Sequence, residues 1–261
     1  MNSCEATVES SQNLPNVVAR EGFARQALSV IERVAQAQDE PAVLDLLYQA
    51  KAALGADHAV FASFVRCDES WENVRFLLAA PPEWCLEYQR QGWYGSDPWL
   101  LYALTHSEPV CETEIELRTP SQRAARALAA RHGMESALIV PAPSSGGLSR
   151  LGVLMLGSSR VGFFDSPSVS AIKILARSLA MDLHEWWVRR IRAEIIAENR
   201  LTPDDLMLLA YEKCGRTSGQ IADAMGITPA SVDSRFQRLN AKFNTARRAG
   251  AAKIASEYGL I

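Results

Sequence analysis

The 261-residue chain is longer than one average domain and shorter than three, so two folded units are expected. Hydrophobic residues make up 48% and charged residues 22%, which excludes the compositions of disordered chains, collagens and coiled coils. A net charge of −3 excludes a uniformly basic nucleic-acid binder. No apolar run approaches the about 18 residues that span a bilayer, and the first sixteen residues hold no Lys or Arg, so neither a membrane span nor a secretory signal is expected. A cytoplasmic location follows as an expectation. Five cysteines, Cys4, Cys67, Cys85, Cys111 and Cys214, stand far apart with no C-x-x-C pair, which points to reduced thiols and to no metal site or disulfide framework.

Residues 1–19 are polar, aperiodic and interrupted by Pro15, and are expected to be a flexible arm. Phe23, Ala27, Val30, Ile31 and Val34 recur at helical spacing, and a second helix through Val43, Leu46, Leu47, Ala50 and Leu54 starts at Asp39 and Pro41 and stops at Gly55. His58 to Arg66 and Val74 to Ala80 read as a pair of strands closed by Pro81-Pro82. A helical stretch around Trp84 to Gln91 leads to a loop holding Gly92, Gly95 and Asp97-Pro98, then to a helix from about Ser121 to Arg131. Ser136 to Val140 and Leu151 to Leu156 flank Pro-Ser-Ser-Gly-Gly, which is hairpin chemistry.

A long helix opening near Asp165-Ser166-Pro167 carries Val169, Ile172, Leu175, Leu179, Leu183 and Trp186 on one stripe, which packs on its own sheet or forms a dimer seam. This order predicts an α+β fold, an antiparallel sheet with helices on its faces, over residues 20–188. Arg189 to Arg200 is charged and lacks a strong core pattern, and the linker is placed at 189–200.

The charge is unevenly divided. Residues 201–261 hold 8 Lys and Arg against 6 Asp and Glu, a balance of +2, leaving 19 against 24, or −5, for the first 200. Three segments of this C-terminal part open with helix-start chemistry. Thr202-Pro203-Asp204-Asp205 gives a cap, a Pro at the first position and an acid at the capping-box position; Thr217-Ser218-Gly219-Gln220 repeats the box; Thr228-Pro229 repeats the cap. Gly215 and Gly226 sit where helices stop.

The result is a four-helix unit, with helices to about Lys213, from Ser218 to Met225, from Pro229 to Phe243, and from about Thr245 to Tyr258. Its middle pair is a helix-turn-helix, whose second helix enters the DNA major groove. That helix carries Ser231, Ser234, Arg235, Arg238 and Lys242 on one face and Val232, Phe236 and Leu239 on the other. With Thr217 at the mouth of the preceding helix, these polar residues are the candidate DNA-contacting set.

At these residues the chain resembles the LuxR family of quorum-sensing transcription factors. The C-terminal resemblance runs through Leu201-Thr202, Asp205, Leu209, Gly215-Arg216-Thr217, Ile221-Ala222, Ile227-Thr228, Ser231-Val232, Lys242-Phe243 and Gly259-Leu260-Ile261. Trp84, Tyr88, Asp97 and Pro98 stand at spacings of four, nine and one, similar to the pattern around the N-acyl-homoserine-lactone pocket of that family. The resemblance implies that the Trp84 indole N–H donates to a lactone carbonyl, that Asp97 accepts from the ligand amide N–H, and that Tyr88 lines the pocket. Trp99 and Met155 join this candidate ligand-binding set. The implied partners are a small-molecule ligand, double-stranded promoter DNA, a second copy of the chain in a homodimer, and RNA polymerase. No other cofactor and no metal is implied.

This chain departs from the family pattern at several places. Ala80 stands one helical turn before Trp84, where some members place a pocket tyrosine, and Met155 stands where a hydroxyl residue often meets the acyl carbonyl. Cys111 or Glu112 occupies the neighbourhood of a second pocket tryptophan, Ala137 replaces a glycine, and Trp99 adds bulk directly after Asp97-Pro98. Asp233 lies on the recognition helix where some relatives have a cation. A ligand-independent orphan regulator, or an anti-activator that pairs with a related receptor, are the competing regulatory readings. An enzyme is not expected: His58, His106, His132 and His184 are scattered, and no H-E-x-x-H, G-x-S-x-G, Walker or dinucleotide motif is present.

Overall fold

The computed structural model describes residues 13–65, 74–144 and 150–261. Arg66, Cys4, Cys67 and the Ser145 to Gly147 part of the expected hairpin turn lie outside the described residues. Packing divides the chain into two units, Met1–Pro143 with Leu151–Trp186 and Ser144–Arg150 with Trp187–Ile261.

The first unit opens with a short helix, α1 (Leu14–Val18), where the sequence suggested only an arm. Asn13 caps it by accepting from the Asn16 amide at 3.0 Å, Pro15 sits in the first turn, and Leu14 and Val17 are buried. Five residues are too few to display a helical period, so the cap was the only sequence signal. Helix α2 (Phe23–Val34) buries the periodic set Phe23, Ala27, Val30, Ile31 and Val34. Helix α3 (Glu40–Ala53) starts where Asp39 accepts from the Ala42 amide at 2.9 Å.

Strands β1 (His58–Val65), β2 (Arg75–Ala79), β3 (Val110–Cys111), β4 (Ser136–Ala142) and β5 (Arg150–Ser158) form one sheet in the order β2-β1-β5-β4-β3. The pairs β1–β2, β3–β4 and β4–β5 are antiparallel, with Ile139 opposite Met155 and Ala137 opposite Gly157. Every residue of β4 and β5 is buried, because helices cover both faces and no face is left to alternate with solvent.

The period of two sorts the side chains. Val60, Ala62, Phe64, Ala137, Ile139, Leu151, Val153 and Met155 point to one face, where they meet residues of α4 (Pro82–Gln91), α5 (Pro98–Thr105) and α6 (Pro120–Arg131). On the other face a Cβ at Gly152 would lie 2.7 Å from Phe61 Cζ and 3.1 Å from His184 Nδ1. The absence of a side chain there lets the long helix α7 (Val169–Glu198) close onto the sheet. The α7 stripe Ile172, Leu175, Leu179, Leu183 and Trp186 is buried within the chain, which answers the choice between core and dimer seam in favour of core.

Helix α7 continues through residues 189–198, so the stretch expected as a linker is helical. Ile195 and Ile196 pack on the C-terminal core, and two apolar residues among charges were too few to register as a pattern. The helix ends at Glu198, Arg200 just beyond it is held in the left-handed region at φ 46, and the Leu201 amide reaches back to the Ile196 carbonyl at 2.9 Å.

The C-terminal unit adds α8 (Pro203–Lys213), α9 (Ser218–Met225), α10 (Pro229–Lys242) and α11 (Arg248–Glu257). The capping boxes Thr202 with Asp205 and Thr217 with Gln220 are formed, and Thr228 caps α10 through the Ser231 amide at 3.2 Å. Gly215 and Gly226 take φ of 72 and 65 at the helix ends. Leu208, Leu209, Ile221, Val232, Phe236, Leu239, Ala251 and Ala255 form the core. Among the described residues no helix is long and apolar enough to cross a membrane.

Candidate functional site

Helices α4 and α5 bring the first site together. In α4, Trp84 and Tyr88 stand one turn apart and both point inward, their rings 5.4 Å apart and tilted by 34°. Trp93, in the 3-10 turn after α4, meets Tyr88 edge-on at 6.4 Å. The chain then turns into α5, a helix the sequence read as loop. Asp97 is its cap: Oδ1 accepts from the Trp99 amide at 2.7 Å and from the Leu100 amide at 3.1 Å. The other oxygen, Oδ2, accepts from the Tyr88 hydroxyl at 2.7 Å.

Asp97 is only 5% exposed. Burial raises its carboxyl above the ordinary value, opposed by the hydrogen bonds from Tyr88, Leu100 and Trp99. The same enclosure, with Asp97 beside it, pushes the Tyr88 phenol well above its usual range.

Trp84, Tyr88, Trp99 and Met155 share one buried cluster, with Asp97 hydrogen-bonded at its edge. Four of the five residues singled out from the sequence thus lie in one core cluster, and the fifth is hydrogen-bonded to two of them. The cluster is apolar apart from a few groups. The indole nitrogens Trp84 Nε1 and Trp99 Nε1 are fully covered and have no hydrogen-bond partner. A buried donor without an acceptor costs about 1–3 kcal/mol, and the cluster holds two of them together with a buried carboxylate at its edge.

Glu112, at the place where a further pocket tryptophan was looked for, is instead an anchor. Its carboxylate makes a bidentate pair with Arg126 at 2.6 and 2.8 Å, and Arg126 also donates to the Glu135 carbonyl at 2.8 Å. This ties the turn after β3 to α6 and to the start of β4. Cys111 is buried with Sγ 3.0 Å from the Phe164 carbonyl, and burial pushes its thiol up to about 11, so it is an inert core thiol. Cys85 is half-buried and Cys214 exposed, both unbridged.

The second candidate site is the outer face of α10. Ser231, Ser234 and Arg238 are exposed there, although the Ser231 hydroxyl shares a hydrogen bond with Thr228 at 2.9 Å. Arg235 and Lys242 are half-buried and held by α8: Arg235 lies 2.9 Å from Asp204, while Lys242 lies 3.2 Å from Asp205 and donates to the Arg200 carbonyl at 3.0 Å. Thr217 serves as the α9 cap.

Asp233, the acid where relatives carry a cation, accepts from Ser218 at 2.8 Å and has Arg248 at 3.9 Å. Sequence reasoning missed Arg248. Its guanidinium pairs with Glu212 at 3.0 Å, donates to Ser218 at 2.8 Å and stands 5.6 Å over the Phe236 ring, so one side chain of α11 joins α8, α9 and α10. A lone arginine at the start of a helix gives no such signal in sequence.

The family model for the autoinducer binding domain matches residues 39–180, more than half of the chain. The chain belongs to that family, the signal-binding family of LuxR-type regulators, as the sequence resemblance implied, and it is a regulator rather than an enzyme. Among solved structures, SdiA in complex with octanoyl-rac-glycerol is similar at a TM-score of 0.67 and 16% identity, covering 90% of this chain and 94% of its own. Escherichia coli SdiA in a second crystal is similar at 0.68 and 17%, covering 90% and 97%. The N-acylhomoserine-lactone-dependent LuxR-family transcription factor CepR2 from Burkholderia cenocepacia is similar at 0.53 and 21%, covering 62% of this chain and 95% of its own. These likenesses establish the fold. No curated protein matches the chain by sequence.

Proposed function

We propose that the chain is a transcriptional regulator that binds an N-acyl-homoserine lactone, or a related acylated signal, in the cluster around Asp97 and binds promoter DNA as a homodimer through α10. One observation carries the ligand reading: a buried carboxylate, held by three hydrogen bonds from Tyr88, Trp99 and Leu100, adjoins an apolar cluster holding two partnerless indole N–H groups. An acyl amide with a ring carbonyl supplies the N–H for the carboxylate, the oxygen for an indole and an apolar tail for the rest. The solved relatives are in keeping: SdiA is in complex with octanoyl-rac-glycerol, and CepR2 is N-acylhomoserine-lactone dependent.

The DNA reading rests on α10, capped by Thr228 and preceded by the tight turn at Gly226, with Ser234 and Arg238 on its exposed face. A second copy would place a second α10 on the other half of a pseudo-palindromic site, and RNA polymerase would be met at the promoter. Because the buried α7 stripe is used within the chain, Ile174, 72% exposed on the same helix, is an apolar residue of α7 open to a partner.

The test is direct binding. Purified protein titrated with a series of short-, medium- and long-chain N-acyl-homoserine lactones should bind at least one member, and Asp97→Ala should lose that binding while its C-terminal unit still binds DNA. Folded protein that binds DNA but none of the series would make it an orphan regulator.

A further inference from the structure

Trp99 offers the site a second buried indole N–H beside that of Trp84. Among the buried apolar and aromatic residues of the cluster, the side chains with N–H or O–H donors are Trp84, Tyr88 and Trp99. Tyr88 gives its hydroxyl proton to Asp97. Met155 carries a thioether and Ala137 a methyl group, neither of which donates. Trp93, Tyr94 and Tyr102 are only partly buried against the cluster, so the two indoles are its fully enclosed donors without a partner.

An amide N–H accepted by Asp97 fixes where the amide carbonyl goes, because a trans amide points its C=O opposite to its N–H. That oxygen is carried into the cluster and needs a donor there. Trp99 is anchored beside the same carboxylate, since its backbone N–H is 2.7 Å from Asp97 Oδ1. Its ring is 3% exposed and its Nε1 has no partner. Trp84 stands on the other helix with the same unmet donor.

Resting on the ligand reading above, we propose that Trp99 is a second ligand-facing donor that binds the acyl carbonyl, while Trp84 binds a separate ring carbonyl. The ligand class is then an acylated amide carrying two carbonyl acceptors on either side of one N–H. Trp99 supplies by indole what the hydroxyl-free positions Ala80 and Met155 cannot.

The test uses the full chain with N-octanoyl-homoserine lactone and with the matching tetrahydrofuran amide, which keeps the acyl carbonyl and lacks the ring carbonyl. Affinities are read by calorimetry for the wild type, Trp84→Phe and Trp99→Phe, each checked for folding by its melting curve. Replacement of Trp99 by benzothienylalanine, which keeps the ring shape and removes only the N–H, covers the case in which Trp99→Phe fails to fold.

The expected result is that removing the Trp99 N–H weakens both ligands by about tenfold, the effect of one hydrogen bond. Trp84→Phe should weaken the lactone alone, leaving the tetrahydrofuran amide unchanged. Loss of the Trp99 effect on the tetrahydrofuran amide would mean that both indoles hold the ring carbonyl, and would overturn the assignment. Unchanged affinity for both ligands without the Trp99 N–H would overturn it too, with the ligand reading intact. Failure of the wild type to bind either compound would overturn the ligand reading and this assignment together.

Discussion

The Tyr88 hydroxyl donates to Asp97 Oδ2 at 2.7 Å, joining the last turn of one helix to the cap of the next. The same carboxylate starts α5 through two backbone amides. The carboxylate proposed above to take a ligand's N–H is thus also a structural cap, and its protonation bears on folding.

Burial raises the Asp97 carboxyl above 3.8, so the folded chain holds this proton more tightly than the unfolded chain. The stability gained from it is fully present below the unfolded value and is lost as pH rises through the folded one. Asp97→Asn cannot ionise and escapes that loss. In the ligand-free protein, the melting temperature of the wild type should fall relative to Asp97→Asn as pH climbs from about 4 towards 7. A wild type that gains on the variant over that range would contradict the burial argument.

Two glycine substitutions should move stability in opposite directions. Gly152→Ala places a methyl group 2.7 Å from Phe61 Cζ and 3.1 Å from Ala142 Cβ and His184 Nδ1, an overpacking that costs about 1–3 kcal/mol. Gly219→Ala, in the first turn of α9, meets nothing closer than Thr217 Oγ1 at 4.0 Å and should stabilise by about 0.5–1 kcal/mol. Chemical denaturation of both variants checks the pair.

On α10, Arg238 is exposed while Arg235 is held by Asp204. Arg238→Ala should weaken promoter binding and lower the slope of log affinity against log salt by about one, if it meets a phosphate. Asp204→Asn removes an acid beside α10 and releases Arg235, so on the proposed DNA reading it should tighten binding, most at low salt. Fluorescence anisotropy across a salt series distinguishes these from a variant that merely unfolds.

Arg248 should matter more than its position suggests. Arg248→Ala removes the link from α11 to Glu212, Ser218 and Phe236. With the arginine side chain 37% exposed, screening limits the loss to about 1 kcal/mol of the C-terminal unit's stability. Arg248→Lys should not restore it, because an ammonium cannot serve Glu212 and Ser218 with one planar fork. Urea unfolding of the three proteins is the check.

The parts legible in sequence are those where local chemistry and packing agree. Thr202, Thr217 and Thr228 announced their helices because a cap is a short-range interaction, and α2 announced itself through the spacing of its buried residues. Helix α5 did not. Pro98-Trp99-Leu100-Leu101 is apolar almost all round, so no period shows, and the preceding glycines spoke for a loop. Strand β3 has two residues and no pattern to read.

The site was legible as far as the family resemblance reached Trp84, Tyr88 and Asp97. What sequence could not tell was the division of labour on α10. Arg235 and Lys242 share the helical face of Arg238, yet α8 brings Asp204 and Asp205 up against them. That depends on how α8 crosses α10, a tertiary fact that spacing along one helix does not encode.

The most direct measurement of the central claim is mass spectrometry of small molecules extracted from protein purified in the presence of the lactone series, paired with its melting temperature. The account predicts retention of an acylated amide with a raised melting temperature, both removed by Asp97→Ala. Folded, DNA-binding protein that retains nothing and shows no shift would contradict it.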